Sequence, residues 1–213
     1  MRAFVRENGL SLFFLVLFAG SLLLQSLAGQ HAENAARVSH QEDAISWLGY
    51  VTSPAFGAAV MENWQSEFLQ FALFIGVTVW LVQKGSAESS ALEDIGPESD
   101  EEQKVGRFAL ADSPAAAHGD GIRRRLYENS LLLAMTSVFL ATWFAQSLNN
   151  WRVFNQEQAL DGDAATSWGS YIRNPEFWEK TLQNWQSEFL AVGTMAVFTI
   201  YLRQRGSPES KPV

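Results

Sequence analysis

The chain has 213 residues and a formal net charge of −8 at pH 7. This acidic balance argues against nucleic-acid binding, which needs a basic face. Because the chain has no cysteine, it has no disulfides, thiolate metal sites or cysteine nucleophile. The mean hydropathy of −0.04 would suit a soluble domain. That value, however, averages long apolar blocks with polar segments, and this segregation indicates a membrane protein.

Four apolar segments are predicted to cross the membrane. Residues 10–27 and 131–148 have no ionisable side chain and lack the polar stripe of a helix that packs in a soluble core. Each approaches the roughly 20 residues needed to cross a hydrocarbon core about 30 Å thick. Shorter apolar blocks predict two further spans, at 64–83 and 185–203, because each is paired with one of the long spans.

The first span also has features of a signal peptide. Arg2 and Arg6 precede the apolar run, and Ser26-Leu27-Ala28 follows it as a small-x-small site. The internal repeat described next favours retention of this span in the mature protein.

The chain repeats itself at an offset of 121 residues without a gap, and roughly a third of the aligned positions agree. The strongest match is Asn-Trp-Gln-Ser-Glu-Phe-Leu, at 63–69 and again at 184–190. The first span matches the internal span 131–148, which cannot be a signal peptide, so we expect it to be retained. Each half has two spans, so the repeats are parallel and not inverted.

The predicted fold is therefore all-α: an integral membrane protein with four transmembrane helices in two parallel hairpins, 1–86 and 123–213. The linker 87–122 is acidic and has no aromatic residue between 88 and 103, which predicts a disordered tether. An acidic docking segment is the alternative interpretation.

Basic residues predict the orientation. On the side of the termini and the linker lie Arg2, Arg6, Lys84, Arg123, Arg124, Arg125, Arg203 and Arg205, whereas the opposite loops have only Arg37, Arg152, Arg173 and Lys180. Since basic residues accumulate on the cytoplasmic side, we expect both termini to be cytoplasmic in a multi-pass inner-membrane protein.

The two outer loops, 28–53 and 149–174, have equal length and matched aromatic residues. These residues, Trp47, Tyr50, Trp168 and Tyr171, predict an aromatic belt at the membrane interface, with Trp64 and Trp185 as further anchors. A shallow outer binding lid is the alternative. Ser53-Pro54 and Asn174-Pro175 each place an N-cap residue before a proline, which predicts the start of the second helix of each hairpin.

The candidate polar site is centred on Glu67 and Glu188. An acidic side chain below the membrane surface is costly and is a functional candidate by default. The matched polar residues expected near the pair are Asn63, Asn184, Ser66, Ser187, Gln25 and Gln146. They could line a cavity for a proton or cation on the pseudo-twofold axis. Alternatively, they serve only to pack the helices.

Other chemistry has little support in the sequence. Glu7-Asn8 and Glu128-Asn129 precede spans one and three, where a carboxylate favours the helix dipole. His31, His40 and His118 do not repeat and lack ligand spacing, so we expect no metal or cofactor. No phosphate-binding loop or nucleophile motif is present, so we do not expect an enzyme.

Glu-Asn before a span, Gln-Ser-Leu at its outer end and the Asn-Trp-Gln-Ser-Glu-Phe-Leu block all occur twice. In these motifs the chain resembles a family of small bacterial four-span membrane proteins of unknown function, over residues 6–89 and 122–210. The resemblance implies no activity. We expect a structural or accessory role, with the bilayer and a second copy or another membrane protein as partners. The alternative is a small ion, proton or solute pathway through Glu67 and Glu188.

Overall fold

The computed structural model describes residues 2–212, without the side chain of Arg2. The charge predicted at Arg2 and the terminal residues of both predicted hairpins therefore lie outside the described part. Within residues 2–212 the chain is all-α and has no strand. Its helices are α1 Arg2–Glu7, α2 Gly9–Ser39, α3 Trp47–Val51, α4 Pro54–Val77, α5 Gly121–Glu128, α6 Ser130–Asp161, α7 Trp168–Tyr171 and α8 Pro175–Tyr201.

Within the described residues, two helices are long and apolar enough to cross a membrane. They are α2 and α6, with mean hydropathies of 2.1 and 1.6 over their most apolar windows. Only 6% and 22% of those windows are buried. The core helix of a soluble protein would be mostly buried, so these helices expose a large apolar surface. The helices α4 and α8 contain no comparably apolar stretch long enough to cross a membrane.

The helices begin where the sequence predicts, because the caps form as expected. The helix α8 begins at Pro175, and the side chain of Asn174 accepts a hydrogen bond from the Glu176 amide at 2.9 Å. The helix α4 begins at Pro54, and Ser53 accepts a bond from the Phe56 amide at 3.3 Å. Proline has no amide proton, and at the first position of a helix that proton would have no partner within the helix, so both prolines fit there.

The outer loops are shorter than predicted, since α2 and α6 continue 12 or more residues beyond their apolar spans, to Ser39 and Asp161. Both helices end in the same way. Gln41 and Gly162 adopt positive φ angles of 62° and 82°, the left-handed conformation that commonly ends a helix. These extensions contain few β-branched residues and no proline, so helix propensity is sufficient for them to stay helical.

The second predicted span, 64–83, is helical only as far as Val77. The β-branched run of Val77, Thr78 and Val79 disfavours a helix. The Thr78 hydroxyl donates to the Phe74 carbonyl at 2.6 Å, and the Gly96 amide donates to the Val79 carbonyl at 2.8 Å. The Phe74 carbonyl also keeps its helical bond to the Thr78 amide at 3.1 Å, so the chain leaves the helix only after this turn, where the Val79 carbonyl accepts from Gly96. The fourth span, predicted at 185–203, ends nearby at Tyr201.

The described residues divide into two compact units, 2–60 with 148–165 and 61–147 with 166–212. In the first unit, the segment after α2 is tied to that helix. The amides of Gln30 and Asn34 donate to the Ile45 carbonyl, both at 3.0 Å, and the Trp47 indole donates to the Ser26 hydroxyl at 2.9 Å.

In the second unit, the Trp168 indole donates to the Ser147 hydroxyl at 3.2 Å. Trp168 and Ser147 each lie 121 residues after Trp47 and Ser26, so the same bond forms in both halves. The linker belongs to the same unit and contains two 3₁₀ turns, Leu92–Asp94 and Gly106–Phe108. Arg124 forms ion pairs with Asp100 and Glu128, at 2.9 and 2.8 Å. Disorder of the linker stays a prediction.

The helices also break at the predicted Glu-Asn pairs, in the same way at both places. Asn8 donates its side-chain amide to the Phe4 carbonyl, and Asn129 donates to the Arg125 carbonyl, both at 2.9 Å. Glu7 and Glu128 are the last residues of α1 and α5. Each glutamate thus ends a short helix and lies two residues before the start of a long one, α2 or α6. Stabilisation of the helix dipole by these carboxylates stays a prediction.

Candidate functional site

The second unit brings the two copies of the Asn-Trp-Gln-Ser-Glu-Phe-Leu block together, from α4 and α8. The Ser66 hydroxyl donates to the Asn63 carbonyl at 2.9 Å and lies 3.3 Å from a carboxylate oxygen of Glu188. The Trp185 indole donates to the side-chain oxygen of Gln65 at 2.8 Å. Because the contacts of Ser66 with Glu188 and of Trp185 with Gln65 join the first copy to the second, the two blocks form one polar contact between helices.

The acidic pair lies at the edge of this contact. Glu67 is exposed and Glu188 is half-buried. Their carboxylates are near enough for electrostatic repulsion. Since Ser66 bonds to Glu188, the side chain of Glu188 is held by α4, the helix that carries Glu67. A proton or cation between the two carboxylates would relieve the repulsion.

The two copies differ in burial although their sequences are identical. Gln65 and Ser66 are 0% and 1% exposed, whereas Gln186 and Ser187 are exposed. The Ser187 hydroxyl donates to the Asn184 carbonyl at 2.8 Å, within its own helix. A symmetric polar cavity on a twofold axis stays a prediction. The contact observed buries the polar side chains of the first copy more deeply than those of the second.

The remaining predicted site residues have different positions. Asn63 is exposed, and Asn184 is half-buried with its amide donating to the Lys180 carbonyl at 2.8 Å. Gln146 belongs to the second unit and is fully buried. Gln25 belongs to the first unit and is half-buried.

The prediction that Tyr50 and Tyr171 belong to an aromatic belt at the membrane interface is wrong. Tyr50 and Tyr171 are 6% and 0% exposed, because they pack against protein side chains such as Phe56 and Phe177. Trp47 is 42% exposed, and Trp168 and Trp64 are half-buried. Anchoring of these tryptophans at a membrane interface stays a prediction.

An aromatic cluster that the sequence analysis missed surrounds Trp185. The Trp143 ring contacts those of Phe139, Phe177, Trp178 and Trp185, with centroids 5.6 to 6.3 Å apart. In the first half, the positions 121 residues before Trp143 and Trp178 are leucine and glycine. The cluster is therefore marked in the sequence by a difference between the two halves and not by an identity.

No three His, Asp or Glu side chains are grouped as metal ligands within residues 2–212. The polar groups present are carboxylates, amides and hydroxyls, which suit hydrogen bonding between helices or a proton or hard cation.

These features define an all-α protein with two helices that could cross a membrane. A family model described as Domain of unknown function (DUF6766) matches residues 1–213, and the chain belongs to this family. No curated protein and no solved structure matches the chain.

Proposed function

We propose that this is a multi-pass protein of the bacterial inner membrane with a structural or accessory role and no catalytic activity. In this proposal four helices, α2, α4, α6 and α8, cross the bilayer as two parallel hairpins produced by duplication. Both termini and the linker are cytoplasmic. The polar contact between α4 and α8 holds helices together, and a second copy or another membrane protein is the partner.

The exposed apolar surface of α2 and α6 is the observation that carries the proposal. Phe13, Phe14 and Leu24 on α2 are 58%, 59% and 67% exposed. Such a surface is unfavourable in water, and a bilayer removes it from water. A signal sequence would account for α2 alone, but α6 begins at residue 130 and has the same character.

The duplication is supported by local bonds that recur 121 residues apart. The Gln83 amide donates to the Ser89 hydroxyl at 2.8 Å, and the Gln204 amide donates to the Ser210 hydroxyl at 2.9 Å. With the paired Trp–Ser bonds and the paired asparagine breaks, they give both halves the same turns.

Cysteine labelling tests the topology, because the natural chain contains no cysteine. We expect a membrane-impermeant maleimide to label Ala44→Cys and Ala165→Cys on intact spheroplasts. Ala91→Cys and Pro212→Cys should react only after the membrane is opened. All four residues are exposed. The proposed topology would be contradicted if only one of Ala44→Cys and Ala165→Cys reacts from outside. Reaction of Ala91→Cys or Pro212→Cys from outside would contradict it as well.

A second candidate function is a proton or cation pathway through Glu67 and Glu188. The observation that favours it is the early end of α4. Glu67 lies ten residues before Val77, about 15 Å along the helix, which is near the middle of a bilayer core if Val77 is at the inner surface. Flux measurements on the purified protein separate this candidate from a structural role.

A further inference from the structure

The aromatic cluster of the second unit encloses polar atoms that the protein itself does not satisfy. Gln146 and Thr181 are both 0% exposed. Among residues 2–212, no protein group forms a hydrogen bond with either polar side-chain atom of Gln146, with the Thr181 hydroxyl or with the buried indole nitrogen of Trp143. Buried polar groups are nearly always hydrogen-bonded, and each that is not costs free energy.

The three residues lie on the facing sides of α6 and α8. Trp143 and Gln146 are three residues apart on α6, so they share a face. Thr181 lies one turn from Phe177 and one turn from Trp185 on α8, and both of these rings pack on Trp143. Thr181 therefore faces the same part of α6.

The chemistry of the set specifies what would bind there. The Trp143 indole offers a donor, the Gln146 amide offers donors and an acceptor, and the Thr181 hydroxyl offers both. No charged side chain belongs to the set. A small uncharged molecule that both donates and accepts hydrogen bonds would match it, and water is the smallest.

We propose that Trp143, Gln146 and Thr181 bind internal water between α6 and α8, and that this site belongs to the second hairpin only. A buried water typically makes about three hydrogen bonds to such groups. The positions 121 residues before Trp143 and Thr181 are Leu22 and Val60, which offer no donor or acceptor. Val60 is also buried, with 6% exposure. The counterpart of Gln146 is Gln25, which is half-buried, so the first hairpin lacks two of the three polar groups.

The test uses the full-length protein in nanodiscs, with ¹⁵N-labelled tryptophan indoles assigned through Trp143→Phe and Trp185→Phe. We expect the Trp143 indole proton to show a rotating-frame cross-peak to water. Trp185 is the internal control, because its indole donates directly to Gln65 and should show none. A Trp143 signal without a water cross-peak, or with cross-peaks to lipid acyl protons instead, would overturn the proposal.

Thermal unfolding gives a second, independent readout. Thr181→Val keeps the shape of the side chain but removes the hydroxyl. If water satisfies the site, we expect this variant to lose the Trp143 cross-peak and to unfold about 2–4 °C lower. If the atoms are dry and unsatisfied, the same substitution raises the Tm and the proposal fails. Val60→Thr is the matched control and should leave the Trp143 cross-peak unchanged.

Discussion

Single residues decide how closely the segments of the first unit approach one another. A Cβ atom placed on Gly29 would lie 2.7 Å from the Cζ atom of Tyr50, closer than real Cβ contacts. Tyr50 is 6% exposed, so its ring has little room to move. Glycine at position 29 therefore permits the tyrosine to pack directly on the backbone of α2.

Gly29→Ala should destabilise the protein although alanine favours helices. Overpacking costs typically about 1–3 kcal/mol, against a gain of about 1 kcal/mol in helix propensity. Hence we expect the Tm to fall by a few degrees. Gly20→Ala on the same helix is the control, because no atom lies within 4 Å of its Cβ position. If both variants melt alike, the close approach has no energetic weight.

At this scale the sequence identifies residues but not their pairings. The Gln-Ser-Leu and Ser-Trp motifs stand out because they repeat, but nothing in them specifies that the Trp47 indole donates to the Ser26 hydroxyl. The two Gln-Ser pairs of the repeated block are identical in sequence, but only Gln65 and Ser66 are buried. Burial depends on tertiary neighbours, which local patterns do not encode.

The helices follow the sequence where a cap or an apolar run defines them. Proline and its preceding cap placed the starts of α4 and α8 correctly at Pro54 and Pro175. The ends were less predictable. The polar extensions of α2 and α6 lie beyond the apolar spans, so hydropathy does not predict them. The helix α4 ends early at the β-branched run of Val77, Thr78 and Val79.

The segment that follows α4 contacts α8 in the second unit, and its Glu88 interacts with Glu209, which follows α8. Ser86 and Thr199 share a hydrogen bond of 2.8 Å between their hydroxyls. Burial raises the pKa of Glu88 above its ordinary value of 4.5, and the negative charge and hydrogen bonding of Glu209 raise this pKa further. The folded protein thus holds a proton on Glu88 more tightly than the unfolded chain does.

Stability should therefore fall as the pH rises from the ordinary pKa of Glu88 through its raised folded value. The folded state binds more protons in this window, so its advantage is lost on deprotonation. We expect Glu88→Gln to match the natural protein in Tm at about pH 4 and to exceed it at about pH 8. Glu93→Gln, at an exposed site in the same segment, is the control. A Tm difference that does not change with pH would contradict this explanation.

For the whole molecule, the fold class was predictable because apolar length and composition are properties of segments. The absence of charge from 10–27 and 131–148 gave the two helices α2 and α6 directly. The candidate site was harder to predict. The sequence supplied Glu67 and Glu188, but the internal polar cluster depends on where the two halves differ, at Trp143 and Thr181.

The structural and pathway candidates predict different ion fluxes, and Glu67→Gln tests both. Glu67 is exposed and its charge is repelled by that of Glu188, so in a structural role its neutralisation should raise the Tm. Proteoliposomes of the natural protein should then show no more proton or K⁺ flux than protein-free vesicles.

A pathway requires flux in the natural protein that Glu67→Gln and Glu188→Gln abolish. Glu179→Gln, an exposed glutamate nearer the start of α8, should have no effect on that flux. Flux that survives the loss of both carboxylates would exclude the pair as a conducting site.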